Sequence, residues 1–279
     1  MLSTIAAVLF LVVVAATPVA VFVWHAARSR MSTVQCLLWG AAYVLVKLLW
    51  RTRWEGSLPV PDGQGAVIVC NHRSSIDPFF LQTATGRKIH WMVAREYCEH
   101  PALAWFLATC EVIPVGRGGI DTAATKAALQ IAERGGIVGM FPEGRINRTD
   151  DLMLPIRPGA AHVAVRAGVL LVPCYIDGSP YGGSSWSPLL MPARVTVRFG
   201  QPIPVQDATN HGPHADNIDD TQGSNGNANG LGESVRHEAL MRRCVAQIAE
   251  LAGEPEFQGQ FAPRQWNPRA EVAGASTVG

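Results

Sequence analysis

The stretch "CNHRSSIDPFF", residues 70–80, decides how the rest of the chain is read. The apolar run "AVIVC" (66–70) stops at Asn71 and His72, and a carboxylate, Asp77, lies five residues past the histidine. A short apolar run bounded by turn residues reads as a buried strand. In α/β proteins reactive groups gather just past the C-terminal ends of such strands. An imidazole, with an unperturbed pKa of ~6.5, can take a proton near neutrality, while a carboxylate on its other nitrogen fixes the tautomer. His72 and Asp77 meet if the chain turns back and a helix begins near Asp77, with Ser74 or Ser75 as its cap. A turn histidine followed by a helix-capping aspartate has the same spacing.

Outward from this stretch the pattern alternates. "KIHWMVA" (88–94), "IVGMF" (137–141), "VLLVPCYI" (169–176) and "RVTVRFG" (194–200) read as further strands. "HPALAWFLATC", "DTAATKAALQIAERGG" (121–136) and "PGAAHVAVRAG" (158–168) read as helices, with Asp121 or proline at the start and glycine at the stop. The fold class expected is α/β: a mostly parallel central sheet flanked by helices, with an N-terminal membrane-anchoring helical segment.

That anchor rests on residues 1–24, which carry no charged side chain and read as a transmembrane or membrane-embedded helix, with a cleaved signal peptide as the rival reading. An apolar run of about 20 residues is long enough to cross a ~30 Å hydrocarbon core. Arg28 and Arg30 follow it, which keeps the rest of the chain on the cytoplasmic face. Residues 31–54 read as an interfacial amphipathic helix, with Trp39, Trp50, Trp54, Arg51 and Arg53 suited to the headgroup level; a buried core helix fits the length as well. Residues 206–233 are rich in Asn, Gly and Asp and read as a flexible insertion. Residues 234–253 read as a C-terminal helix and 254–279 as a disordered tail.

The net charge of +1 argues against a general nucleic-acid binder. Six cysteines occur without zinc or CxxC spacing, several inside apolar runs, as in a reducing, cytoplasm-facing domain.

A histidine–aspartate pair needs a nucleophile to activate. No G-x-S-x-G elbow occurs, since "GSPYG" (178–182) has its serine misplaced. Cys70, Cys110 and Cys174 lie in apolar settings that keep a thiol protonated. The hydroxyl then belongs to a substrate, which is the logic of acyl transfer from a thioester to an alcohol. Three more clusters stand just past or inside apolar runs. "VIPVGRGGID" (112–121) sets Arg117 among glycines, where a guanidinium and nearby N–H groups can approach a phosphate. "MFPEGRINR" (140–148) brings Glu143, Gly144, Arg145, Asn147 and Arg148 into one loop. "LLVPCYIDG" places Pro173 inside a strand, where a missing N–H suggests an edge or a bulge. Singly, the two arginine-bearing clusters are also ordinary charged turns.

In order, these blocks resemble the glycerolipid acyltransferase family, whose typical member is a 1-acylglycerol-3-phosphate acyltransferase. "NHRSSIDPFF" matches its N-H-x4-D block, "FPEGRINR" its P-E-G block, and the arginine and proline blocks fall between and after them. The likeness runs over about residues 60–205, the acyltransferase domain. It implies His72 as general base, Asp77 as its orienting partner and Arg117 on the acceptor's phosphate. Glu143, Gly144 and Arg145 or Arg148 would shape the acceptor site, and Pro173 the acyl-donor wall. The family commonly reads E-G-T-R where this chain reads E-G-R-I-N-R, so the threonine is missing and an arginine stands one position earlier. The implied reaction moves a fatty acyl group from acyl-CoA or acyl-carrier protein to 1-acylglycerol-3-phosphate or a related lysolipid, in phospholipid biosynthesis. It uses no metal or other cofactor and takes place at a membrane. The rivals are another lysophospholipid or amino-acid-derived acceptor, a lipase-like hydrolase and a non-catalytic membrane scaffold.

Overall fold

The structure, a computed structural model, describes residues 31–116, 121–184, 186–205 and 226–263, with isolated positions between 4 and 29. Most of the expected anchor at 1–24 therefore lies outside the described residues, and no helix among them is long and apolar enough to cross a membrane.

Among the described residues seven strands form one sheet: β1 (Arg53–Glu55), β2 (Ala66–Cys70), β3 (Ile89–Ala94), β4 (Ile113–Val115), β5 (Ile137–Met140), β6 (Leu170–Asp177) and β7 (Thr196–Phe199). Their order is β1-β7-β6-β2-β5-β3-β4. The run from β6 to β4 is parallel, β7 is antiparallel to β6, and β1 is parallel to β7. The helices are α1 (Thr33–Leu48), α2 (Asp77–Ala84), α3 (Arg95–Cys98), α4 (Pro101–Thr109), α5 (Thr122–Glu133), α6 (Gly159–Ala167) and α7 (Gly226–Ala252). The mostly parallel α/β sheet expected from the alternating pattern is present.

β2 explains why the sheet has two cores. All five of its residues are buried, and a strand sends alternate side chains to opposite faces. Val67 and Val69 join the layer of α5, α6 and α7, with Ala128, Ala161, Leu240 and Ile248. Ala66, Ile68 and Cys70 join the layer of α1 and α2, with Val46, Trp50, Phe80 and Leu81. Each large side chain so buried contributes roughly 1.5–3 kcal/mol. The alanines of α5 and α6 let those helices approach the sheet closely, so β2 is packed on both faces.

Four local expectations are corrected. The helix expected over 31–54 ends at Leu48, where Arg51 turns the chain at φ 42° into β1. Its tryptophans point inward rather than toward a headgroup layer. Trp50 is fully buried with its indole N–H on the Pro188 carbonyl, while Trp39 and Trp54 donate to the carbonyls of Gln82 and Phe80. The C-terminal helix begins at Gly226, inside the expected insertion, because extending a helix already nucleated by its packed turns costs little; residues 206–225 lie outside the described residues. The chain after Ala252 is not loose as far as Pro263. Ile156 donates to the Gln260 carbonyl and Ala262 to the Ile156 carbonyl, a short parallel bridge that the polar composition of the segment did not disclose.

α6 and α7 meet through His162 and His237, whose rings stand edge-to-face at 5.1 Å. Burial, with nearby Arg166 adding to it, and for His237 the His162 imidazole as well, holds both below the usual histidine range against the opposing pull of Glu233. The folded chain thus binds fewer protons than the unfolded one below the ordinary value of 6.5, and this contribution to stability is lost as pH falls. A His162→Gln/His237→Gln variant is expected to lose less thermal midpoint than the parent between about pH 7 and about pH 5, read by circular dichroism.

Candidate active site

His72 stands two residues past the end of β2, and its Nδ1 lies 3.0 Å from Oδ2 of Asp77, the first residue of α2. No serine caps α2. Asp77 instead points back, and its Oδ2 also accepts the backbone N–H groups of Arg73 and Ser74, each at 2.8 Å. Its Oδ1 accepts the Ser179 hydroxyl at 2.6 Å. Four donors therefore converge on a fully buried side chain. With main-chain N–H groups already on Oδ2, that oxygen accepts from the imidazole as well. Nδ1 carries the hydrogen and Nε2 keeps its lone pair for the cleft. This is the protonation pattern a general base needs.

Glu143 braces the same histidine from behind. Its Oε1 accepts the His72 N–H at 2.7 Å and its Oε2 the Leu154 N–H at 2.9 Å. Burial pushes the carboxyl up to about 8, against the pull of those two backbone donors. Glu143 was expected to line the acceptor loop; the structure buries it fully, and the cleft is lined by Gly144, Arg145 and Arg148 instead. Gly144 has φ +69°, a left-handed turn that a side chain rarely adopts, and that turn separates buried Glu143 from the arginines on the cleft side. Arg73 clasps the loop by donating to the carbonyls of Thr149 and Asp151. The Asn147 N–H bonds the His72 carbonyl at 2.7 Å. Arg148 lies over the Tyr181 ring at 5.0 Å.

His72 opens onto a cleft of about 690 Å³ lined mainly by apolar side chains, among them Trp39, Phe79, Trp91, Phe106, Leu107 and Val112. It passes along β3, touching Lys88 before the strand and Ala94 at its end, a run of ~20 Å at ~3.3 Å per residue.

The structure brings His72, Asp77, Glu143, Gly144, Arg145 and Arg148 to one end of the parallel strands. Arg117 lies outside the described residues, although Gly116 and Asp121 beside it are joined by a 2.8 Å hydrogen bond. Pro173 does not line the cleft. It is buried on an interior strand opposite Val69, where the chain beyond β7 bulges between the pairs Cys174–Phe199 and Leu171–Ile203. The bulge was legible from the proline; the cleft wall was not its place. Sequence reasoning missed Arg73 and Ser179. Arg73 had a signal, since it adjoins His72. Ser179 had none, because its partner is 102 residues away. Burial raises the thiols of Cys70 and Cys174 well above their ordinary range and that of Cys110 to about 11, so none is a nucleophile here.

The sequence model of the family described as "Acyltransferase" matches residues 51–177. The 1-acyl-sn-glycerol-3-phosphate acyltransferase of Bacillus subtilis is 27% identical over 145 residues, 52% of this chain and 69% of that protein. The alpha form from Bos taurus is 29% identical over 167 residues, 58% of each chain. Against the relative from Limnanthes douglasii the chain spans about half, 54%, of the other protein's length. The crystal structure of the 1-acyl-sn-glycerophosphate (LPA) acyltransferase PlsC from Thermotoga maritima superposes with a TM-score of 0.53 at 16% identity, covering 87% of this chain and 93% of that one, a likeness of fold. The matched region, with His72 paired to Asp77 and the Glu143 loop closed over them, is an acyltransferase domain. Over this region the chain resembles the proteins named as 1-acyl-sn-glycerol-3-phosphate acyltransferases.

Proposed function

We propose that this chain transfers a fatty acyl group from an acyl thioester, on coenzyme A or acyl-carrier protein, to the hydroxyl of 1-acylglycerol-3-phosphate or a related lysolipid. The observation that carries the reading is the His72–Asp77 pair at the mouth of a long apolar cleft rimmed by Arg145 and Arg148. Nε2 takes the acceptor's proton as its oxygen bonds the thioester carbonyl carbon. The tetrahedral intermediate collapses, the C–S bond breaks, and the proton on Nε2 passes to the leaving sulfur. A positioned base supplies about 10²–10⁴, and holding both substrates at the site supplies more. The reading calls for no cofactor.

A membrane seat belongs to the same proposal. Leu37, Val44 and Leu48 share one face of α1 and are exposed, Leu48 at 76%, as are Trp105 and Trp186 near the cleft. An apolar helix face beside exposed tryptophans suits the headgroup boundary of a bilayer. The catalytic domain then lies on the cytoplasmic side, in line with Arg28 and Arg30.

Purified full-length chain supplied with mixed lysolipids and either thioester tests the reading, with products read by lipid mass spectrometry. The diacylated product from 1-acylglycerol-3-phosphate is expected. Free fatty acid without transfer would overturn the reading and favour a hydrolase. The phosphate contact has its own test. Replacing Arg117, Arg145 or Arg148 singly by Ala removes a charge-assisted bond of roughly 1.5–3 kcal/mol wherever it contacts phosphate. The expected loss in kcat/KM for the acceptor is then about ten- to hundredfold, with the donor's KM unmoved. Lys rescues in part, keeping the charge and losing the fork.

A further inference from the structure

Two constraints fix an imidazole: one on its edge and one on its plane. Asp77 supplies the first. The second is a stack of three rings. His72 lies on Phe141 at 4.0 Å with 12° between planes, and Phe141 lies on Trp91 at 4.9 Å, again with 12°. Phe141 follows the last residue of β5, so its ring needs a second face to hold it. Trp91 comes from the neighbouring strand β3, in register with Gly139 of β5. It lies where a Gly139 side chain would be: a Cβ there would stand 2.5 Å from Trp91 Cε3 and 2.7 Å from Cδ2 and Cζ3. The bare Cα of Gly139 is what allows the indole to lie against the sheet.

Ordinary core packing does not account for the indole well. Trp91 is 5% exposed, and its Nε1–H has no hydrogen-bond partner among the described residues. A phenyl ring would fill an apolar site without burying an unsatisfied donor. The broad plane is what the indole adds, and Phe141 is what that plane supports.

We propose that Trp91, seated on Gly139, is a positioning residue for catalysis: through Phe141 it sets the plane of the His72 imidazole and so the direction of Nε2. The stack also presents an aromatic face to the imidazolium that forms during transfer, an attraction absent while the ring is neutral. This inference rests on the function proposed above, in which His72 is the base.

The test compares Trp91→Leu, Trp91→Phe, Gly139→Ala and the double variant Gly139→Ala/Trp91→Leu, each with two acyl-CoA donors of different chain length. Trp91→Leu is expected to lower kcat by about ten- to hundredfold, the scale on which a small misplacement of a reacting group acts. The loss is the same for both donors, with KM for each substrate little changed. Trp91→Phe recovers part of it, restoring a planar ring without the indole's breadth. Gly139→Ala reproduces the loss, and the double variant is no worse than Trp91→Leu, because Gly139 acts only through Trp91. Wild-type kcat in Trp91→Leu would overturn the proposal. So would a defect confined to the KM of the longer donor, which would make Trp91 a cleft wall alone. Should Gly139→Ala not fold, the two Trp91 variants decide. His72→Ala is the control: if it still transfers, the proposed function fails; if it is inactive while Trp91→Leu is normal, only this inference fails.

Discussion

His72→Ala is expected to bring acyl transfer to background while the thermal midpoint stays near that of the parent. The side chain stands past the end of β2, partly exposed at the cleft, and contributes little to either core layer. Its main-chain bonds, to Glu143 and Asn147, remain available to alanine. What disappears is the imidazole that Asp77 holds at this cleft's mouth, so the predicted loss is the full contribution of a general base, about 10²–10⁴. Asp77→Asn should come close to it for a different reason. An asparagine can keep its oxygen toward His72, Arg73 and Ser74 and turn its NH₂ toward the Ser179 hydroxyl, which also accepts. The ring is then still oriented, but no charge stabilises the imidazolium. Full turnover in either variant, with circular dichroism showing an intact fold, would remove the pair from the mechanism.

The second large effect belongs to Glu143. Glu143→Ala leaves the N–H groups of His72 and Leu154 without their acceptor, and each buried unsatisfied donor costs about 1–3 kcal/mol. A stability loss of roughly 2–6 kcal/mol follows, which for a chain of this size lowers the midpoint by about 4–20 °C. Activity falls as well, because the backbone under His72 loses its brace. Glu143→Gln keeps one of the two bonds and should fall between. The pH dependence has a definite sign. In the folded chain the carboxyl keeps its proton up to about 8, against an ordinary value of 4.5. The folded state binds more protons across that interval, so this contribution to stability is greatest at the acid end and declines as pH rises through it. Thermal midpoints of Glu143→Gln should therefore fall less than the parent's from about pH 5 to about pH 8. An equal fall would mean that Glu143 is not held protonated by burial.

The residues with chemistry in them were legible because their signals are local. "NHRSSID" carries a base, its partner and the turn between them within seven residues. The P-E-G block likewise announces itself at the end of an apolar run. The strands were legible for the same reason: β2, β5 and β6 are short apolar runs closed by polar residues, and a strand buried on both faces has no alternative composition. Edge elements were harder to read. β1 is only three residues long, and it is a strand because β7 offers it a partner.

By itself, then, the sequence determined the α/β class, the burial of β2 and the spacing that allows His72 to meet Asp77. Each depends on neighbours along the chain, through strand period or loop length. Tertiary structure alone decided the rest. Glu143 turned from the acceptor loop to the backbone of His72, because a buried carboxyl goes where N–H groups converge. Pro173 went to a bulge beside Gly200 rather than to the cleft. Ser179 reached Asp77 from the end of β6, and Trp91 reached Phe141 across the bare Cα of Gly139. These contacts join residues that are far apart along the chain and adjacent only because parallel strands end side by side. That adjacency is set by the order β6-β2-β5-β3, which no local pattern encodes.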